Sequence, residues 1–330
     1  MAVRNQLCFL PYSYRPALAL AMTQRPDGTW NTSMLGVPSP RAEGFQGVGT
    51  VNAVRRLLEY GWEQDSPPLV HARRVLFRLL AEDDDPAYLF ELAPRGKLDP
   101  QIVNHGRSVL REAAAAALAQ AGYENDPRLR GAASRMVDRL GEYLRSPVAE
   151  KPFHRVGNQH VLAPEAAPPS VHLITMLGYM PLFRNEHYDT MDRLYRYLSH
   201  PVPRAAPAAV VARKVVALPH LVLGDPLPHR QAADADVPWA LVWLELAARM
   251  GWLRRHEGWI KLLDRFLAER DANGVWSPPK GASMMRTTNP FVWPSYPLES
   301  HQATGDDRWS DVTFRLGLIA RLAGRQLVIS

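Results

Sequence analysis

Four helix ends with one shared signature constrain the fold of this chain more than any other feature. In each, an apolar helical run ends in glycine followed by an aromatic residue: Gly61-Trp62, Gly122-Tyr123, Gly178-Tyr179 and Gly251-Trp252. Glycine readily takes the left-handed conformation that closes a helix, and an apolar residue after it packs back against the last turn. The glycines stand 61, 56 and 73 residues apart. This spacing predicts a repeated helical unit.

A second helix follows three of these ends. Apolar residues recur every three or four positions from Val70 to Leu80, from Leu129 to Leu140 and from Trp259 to Leu267, which is helical spacing. The first helix of each pair is more apolar, and the stretch from Trp239 to Ala248 is apolar nearly all round. A helix that is apolar on every side is buried on every side. The pairs therefore predict buried inner helices and amphipathic outer ones.

The remaining chain fits the same plan. We expect a further helix pair between Tyr188 and Gly224 and a last apolar helix from about Val312 to Gly324. No run shows the two-residue alternation of a half-buried strand. The sequence thus predicts a single all-α domain over residues 1–330.

Two short turns narrow the architecture. The segment from Gln24 to Trp30 fits a Gln-x3-Gly-x-Trp pattern, and the segment from Arg270 to Trp276 repeats it with arginine in place of glutamine. With these turns and the repeat layout, the chain resembles the superfamily of terpenoid cyclases and protein prenyltransferase β-subunits. The resemblance implies an α/α toroid, complete or incomplete, of about five or six helical hairpins. It also implies a central cavity that handles an apolar, isoprenoid-like small molecule.

The catalytic motifs of that superfamily are not recognisable here. Prenyltransferases of this type bind zinc through Asp, Cys and His, whereas Cys8 is the only cysteine and lies far from any cluster of metal ligands. The run from Glu82 to Asp85 has glutamate where the acid motif of the cyclases begins with aspartate, and we expect this run to cap helices. The sequence therefore leaves open whether the chain is an enzyme, and we expect neither a metal ion nor a cofactor.

Six residues are candidates for ligand binding: His105, His172, Trp239, Trp293, Tyr296 and His301. The first two stand near the starts of predicted inner helices, and in a toroid such starts face the mouth of the cavity. The last three lie in a proline-rich loop from Met284 to Trp309, where aromatic and polar side chains alternate as in small-molecule pockets. Alternatively, this loop is a cover that seals the inner core.

Two other functions remain open. Tryptophan, tyrosine and histidine suit sugar stacking and proton transfer, which would make the chain a carbohydrate-active α/α toroid. An α-helical scaffold that binds a peptide or protein without catalysis is the third reading. Carboxylates in the cavity would favour the carbohydrate enzyme, and an apolar cavity lining would favour the isoprenoid-handling protein. A filled centre with a grooved outer face would favour the scaffold.

Charge and hydropathy exclude several partners. The net charge is +6, yet the arginines are spread in pairs such as Arg55-Arg56 rather than in a basic run, which indicates solvated helix faces and no nucleic-acid partner. No stretch reaches the roughly 20 apolar residues of a membrane-spanning helix. The residues before Pro11 do not resemble a secretory signal, so we expect a cytoplasmic protein.

Overall fold

The computed structural model describes residues 9–39, 41–81, 99–278, 284, 289–298 and 309–326. Most of the described chain is helical, which confirms the predicted helical class. The helices are, in chain order, α1 (Leu10–Ser13), α2 (Arg15–Met22), α3 (Thr50–Glu59), α4 (Pro67–Leu80), α5 (Pro100–Gln120), α6 (Pro127–Arg145), α7 (Val171–Gly178), α8 (Pro181–Glu186), α9 (Tyr188–Leu198), α10 (Arg230–Ala235), α11 (Val237–Arg249), α12 (Glu257–Ala268) and α13 (Ser310–Leu322). None of the described helices combines the length and the hydropathy that crossing a bilayer requires.

Five helices form a series of contacts through the middle of the described structure. Helix α3 packs on α5, α5 on α7, α7 on α11, and α11 on α13. Helix α7 is buried along its whole length, and α11 along nearly all of it. Helices α4, α6, α9 and α12 each bury one face only, and α6 contacts both α4 and α9. Helices α7 and α11 are therefore apolar and more buried than the helices that follow them, as the sequence predicts, whereas α3 is mostly buried although it is less apolar than α4.

Three of the four predicted helix ends use glycine in the expected way. Gly61, Gly122 and Gly251 have φ angles of +89°, +89° and +72°. The aromatic residue after each donates its backbone N–H to a carbonyl in the last helical turn, as Trp62 does to Leu57 at 3.0 Å. These bonds satisfy carbonyls that the helix leaves free at its end.

The end at Gly178 has a different cause. This glycine is the last residue of α7 and does not have a positive φ angle. A Cβ atom there would lie 3.4 Å from the side chain of Leu246 on α11. The prediction of a left-handed helix end is wrong at this position, because Gly178 keeps the helical conformation and a Cβ atom there would make only an ordinary contact with α11.

The two tryptophan turns share one backbone hydrogen bond. The backbone N–H of Trp30 donates to the hydroxyl of Thr50 in α3, and that of Trp276 donates to the hydroxyl of Thr313 in α13, both at 3.0 Å. Both indole rings are fully buried. Gln24 also donates to the carbonyl of Pro68 at 2.8 Å, which fixes the first turn to α4. Each turn thus attaches to the helix that follows it.

Two short β-hairpins are the main departure from the predicted structure. Strands β1 (Phe153–Val156) and β2 (Gln159–Leu162) pair antiparallel, as do β3 (Ala208–Val211) and β4 (Lys214–Ala217). The helix pair expected between Tyr188 and Gly224 is therefore wrong, because only α9 forms before the second hairpin. Ala212 and Arg213 make its turn with positive φ angles, a conformation that glycine or asparagine usually signals.

A buried ion network joins the two ends of the helix series. The guanidinium of Arg315 on α13 lies 2.8 Å from a carboxylate oxygen of Glu59 on α3 and 2.5 Å from one of Glu245 on α11. It also donates to the backbone carbonyl of Ser295 at 2.8 Å. Burial alone would lower the pKa of Arg315, but the two carboxylates raise it. Arg249 supplies the second positive charge, 2.9 Å from Glu245.

We predict that Arg315→Gln lowers the free energy of unfolding by about 3–5 kcal/mol, because it leaves two buried carboxylates with less compensating charge. Chemical denaturation monitored by circular dichroism measures the change. Arg130→Gln is the control, since its ion pair with Glu186 lies at the surface and such pairs contribute about 0–1 kcal/mol. Equal losses in both variants would contradict a central role for Arg315.

Candidate functional site

A cavity of about 770 Å³ lies between helices α5 and α6 and the two hairpins. Its volume falls within the roughly 300–1,000 Å³ typical of small-molecule sites. Many of its lining side chains are polar or titratable: Gln101, Asn104, His105, Ser108 and Glu112 from α5, Arg139, Glu142 and Tyr143 from α6, Ser146 directly after α6, and His154, Glu165 and His220 from the hairpin regions.

The length of α5 explains where this cavity forms. The helix has 21 residues, whereas its neighbours in the contact series have 8 to 13. The alanines from Ala113 to Ala117 are fully buried and allow close packing. The turns before them carry polar residues at helical spacing and lie beside the hairpins. The amide oxygen of Gln101 accepts the backbone N–H of Ala212 at 2.9 Å, which ties the second hairpin to α5.

Glu112 is the buried acid of the cavity. Its Oε2 atom accepts a 2.6 Å hydrogen bond from the hydroxyl of Ser170, which also accepts the backbone N–H of Leu173 at the start of α7. Its Oε1 atom lies 3.4 Å from the guanidinium of Arg139, whose side chain is 60% exposed. Burial raises the pKa of Glu112 above its ordinary value, although Ser170, Arg139 and Arg111 act in the opposite direction. The protonated form is therefore favoured more than in water.

Two histidines of the cavity are held in the neutral form. The rings of His105 and His220 have centroids 6.0 Å apart. Burial lowers the pKa of His105, and burial together with the nearby His105 lowers the pKa of His220 to about 4. At neutral pH both rings can therefore accept or donate a hydrogen bond without carrying charge.

A pair of tyrosines separates this cavity from a second one. The hydroxyls of Tyr143 and Tyr197 are 3.2 Å apart. Tyr143 lines the 770 Å³ cavity, whereas Tyr197 lines a neighbouring cavity of about 510 Å³. Their rings contact edge to face, with centroids 5.8 Å apart. The pair is therefore part of a common wall.

The structure does not bring the six predicted ligand residues together. His105 lines the 770 Å³ cavity, and Trp239 lines a separate cavity of about 230 Å³. His172 is buried, and burial, with the charges of Arg55 and His220, lowers its pKa to about 3. His301 lies outside the described residues, as do Cys8 and the acidic run from Glu82 to Asp85.

Trp293 and Tyr296 belong to the hydrophobic core and line none of these three cavities. The guanidinium of Arg56 lies 4.8 Å from the ring centre of Trp293 and donates to its backbone carbonyl at 2.7 Å. Phe45 contacts the same ring edge to face. These are the contacts of a segment packed onto α3, as the cover alternative expects.

Sequence reasoning missed Glu112, Ser170 and His220. A signal existed for Glu112, because it stands directly before the run of five alanines in a helix predicted to be buried, where an acidic residue needs a partner. No comparable signal marked His220, since the hairpin that precedes it was itself not predicted.

The site must be interpreted from its own geometry. No model of a known protein family, no curated protein and no solved structure matches this chain. Within the described ranges, no three His, Cys, Asp or Glu side chains are grouped so that they could hold a metal ion. The described groups of the cavity that can transfer protons or form hydrogen bonds are Glu112, the histidines and the polar side chains around them.

We predict that His220 makes the folded chain less stable in acid. Its pKa is 6.5 when unperturbed and about 4 in the folded state, so the unfolded chain binds the proton more readily. Stability is therefore lost as the pH falls from about 6.5 to 4, by on the order of 3 kcal/mol at ~1.4 kcal/mol per pKa unit.

Denaturation of the wild type and His220→Gln between pH 4 and 8 measures this loss. The variant should retain more of its stability in acid, whereas His200→Gln, at an exposed histidine, should follow the wild type. If the free energy of unfolding changes with pH in the same way in all three proteins, His220 is not a buried neutral group.

Proposed function

We propose that this chain is an acid–base enzyme acting on a hydroxyl-rich small molecule of the carbohydrate class in the 770 Å³ cavity, with Glu112 as the proton-transfer group. The observation that carries the proposal is a buried carboxyl with a raised pKa that opens onto a polar cavity. Perturbed acids of this kind are concentrated at catalytic sites.

The hydrogen bonds of Glu112 determine where its proton can act. The hydroxyl of Ser170 donates to Oε2 at 2.6 Å, whereas the guanidinium of Arg139 donates to Oε1 only at 3.4 Å. Oε1 is therefore the oxygen that takes the proton of the neutral acid when the exposed Arg139 side chain turns away. Arg139 lines the cavity beside that oxygen. Glu112 can thus donate the proton from Oε1 to the glycosidic oxygen as the bond between that oxygen and the anomeric carbon breaks. Water then adds to the anomeric carbon, and the proton that it loses returns to Glu112, which is general acid–base catalysis.

The rest of the lining supports a hydroxyl-rich ligand. Gln101, Asn104 and Ser108 present amide and hydroxyl groups from successive turns of α5. His105 and His220 add neutral rings that both donate and accept. Glu142 and Glu165 supply further carboxylates, the feature expected of the carbohydrate-active alternative. Sugar stacking would depend on Tyr143, because none of the tryptophans that the structure describes lines this cavity.

The proposed architecture is an α/α toroid with α3, α5, α7, α11 and α13 as the inner helices. Their successive contacts and the ion pair from Arg315 back to Glu59 support a closed ring. The matching tryptophan turns before α3 and α13 support internal repetition. An isoprenoid ligand in the centre stays a prediction, and the buried Glu59, Glu245 and Arg315 between inner helices make that region less apolar than such a ligand favours.

The test compares the wild type with Glu112→Gln on a panel of neutral disaccharides and aryl glycosides, with binding followed by calorimetry and hydrolysis by product release. We expect the variant to lose about 10²–10⁴-fold in turnover while still binding. Activity should fall as the pH rises through the raised pKa of Glu112, because the acid then loses its proton.

Glu186→Gln, which removes an exposed carboxylate outside the cavity, is the matched control and should leave turnover unchanged. Wild-type turnover that survives in Glu112→Gln would overturn the assignment of the acid. The absence of binding across the panel would overturn the carbohydrate class.

A further inference from the structure

The cavity of about 510 Å³ beyond the wall formed by Tyr143 and Tyr197 has a different lining from the one that holds Glu112. Residues of α9 form part of this lining, and the rest comes from the end of α6, the segment after it and the turn at Gly224. Helices α6 and α9 pack directly on each other. The packing of these elements therefore sets which side chains meet in the cavity.

Gly224 holds its part of the lining against the end of α9. The φ angle of Gly224 is +83°, and a Cβ atom there would lie 2.6 Å from the backbone carbonyl oxygen of His200. The backbone N–H of Asp225 donates to the same oxygen at 2.8 Å. A residue with a side chain does not fit this approach unless the backbone moves, so the two chain segments are held at a fixed separation.

The side chains that α9 contributes to this cavity are basic. Arg193 and Arg196 both line it, and residues three apart lie on the same face of a helix, one turn from each other. Within the part of the chain that the structure describes, the side chain of Arg193 has no ion pair or hydrogen bond. Arg196 lies 2.7 Å from Asp192, which Arg255 also contacts at 2.7 Å. One carboxylate thus serves two guanidinium groups, and Arg193 has none.

The remaining lining is mostly apolar. It comprises Leu144, Ala149, Pro152, Pro201, Pro203 and Leu223, together with the ring of Tyr197. Glu150 is the one carboxylate among the described lining residues, and no described ion pair joins it to Arg193 or Arg196. A cavity that is cationic along one helix and apolar elsewhere matches a ligand with an anionic end and an apolar end.

We propose that this cavity is a second binding site, which takes a phosphate monoester with an apolar organic part. Arg193 and Arg196 bind the phosphate, because the planar guanidinium group donates pairs of hydrogen bonds to phosphate oxygens. A phosphate monoester carries about two negative charges at neutral pH, which match two guanidinium groups better than the single charge of a carboxylate does. The apolar part packs against Leu144 and the prolines. This site does not depend on Glu112 or on catalysis in the larger cavity.

The experiment titrates the full chain with phenyl phosphate by calorimetry at neutral pH and constant ionic strength. Three comparison compounds each lack one proposed feature: inorganic phosphate lacks the apolar part, benzyl alcohol lacks the charge, and benzoate carries a single charge. We expect phenyl phosphate to bind more tightly than each of them by about tenfold or more, since hydrogen bonds to charged groups contribute about 1.5–3 kcal/mol. Equal affinity for any of the three compounds would overturn the proposal.

Arg193→Gln and Arg196→Gln should each weaken the binding of phenyl phosphate about tenfold, because each variant removes charged hydrogen bonds. Arg230→Gln is the matched control. Like Arg196, Arg230 is an exposed helical arginine paired with an aspartate four residues away, but it lines none of the three cavities. Its loss should change the affinity by less than about twofold. All three arginines are exposed, so we expect these variants to fold.

Two further measurements locate the ligand. In NMR spectra of the chain with labelled tyrosine rings, the Tyr197 signal should shift on addition of phenyl phosphate, whereas that of Tyr12, which lines none of the three cavities, should not. Glu112→Gln should leave the affinity for phenyl phosphate unchanged, which separates this site from the proposed enzyme.

Three results would overturn the proposal. The first is that phenyl phosphate does not bind or binds without moving the Tyr197 signal. The second is that the Arg193 and Arg196 variants bind it as tightly as the wild type. The third is that Arg230→Gln weakens binding as much as they do, because the interaction would then reflect the overall charge of the surface.

Discussion

The contact of Arg315 with Glu59 and Glu245 is the constraint on which the arrangement of the central helices depends. Three charges are removed from water there, and such a group is stable only when every partner is in place. Because the partners belong to α13, α3 and α11, those helices cannot shift independently. The carbonyl of Ser295 binds the same guanidinium, so the segment around Trp293 is held by the same interaction.

The candidate site depends on this framework through α5. The buried half of α5 packs between α3 and α7, and its alanines fix how closely those helices approach. The polar half extends to the hairpins and lines the cavity. Glu112 stands at the boundary between the two halves, which is why one carboxyl is both buried and open to a ligand. A framework that held α5 less firmly would let water reach this carboxyl and return its pKa toward the ordinary value.

The fold was more predictable from the sequence than the site was. Gly61, Gly122 and Gly251 end helices by a local backbone rule, and short-range rules can be read from residue order. Gly178 stays helical and has no positive φ angle, so the same residue type misled the prediction there. The site is harder still. Of its titratable residues, His105 was identified from its place at a helix start, but the partner of Glu112 and the setting of His220 arise only when α5, α7 and a hairpin meet.

Ser170 illustrates how such a meeting restricts later change. One hydroxyl caps α7 by accepting the N–H of Leu173 and at the same time holds the carboxyl of Glu112. Aspartate or asparagine would serve equally well as a helix cap. Aspartate would place a second negative charge beside a buried acid, and asparagine would replace the hydroxyl donor with a bulkier amide. Substitutions that are neutral at an ordinary helix start are therefore excluded here. Mutational drift at this position is confined to residues that can both cap α7 and donate a hydrogen bond to Glu112.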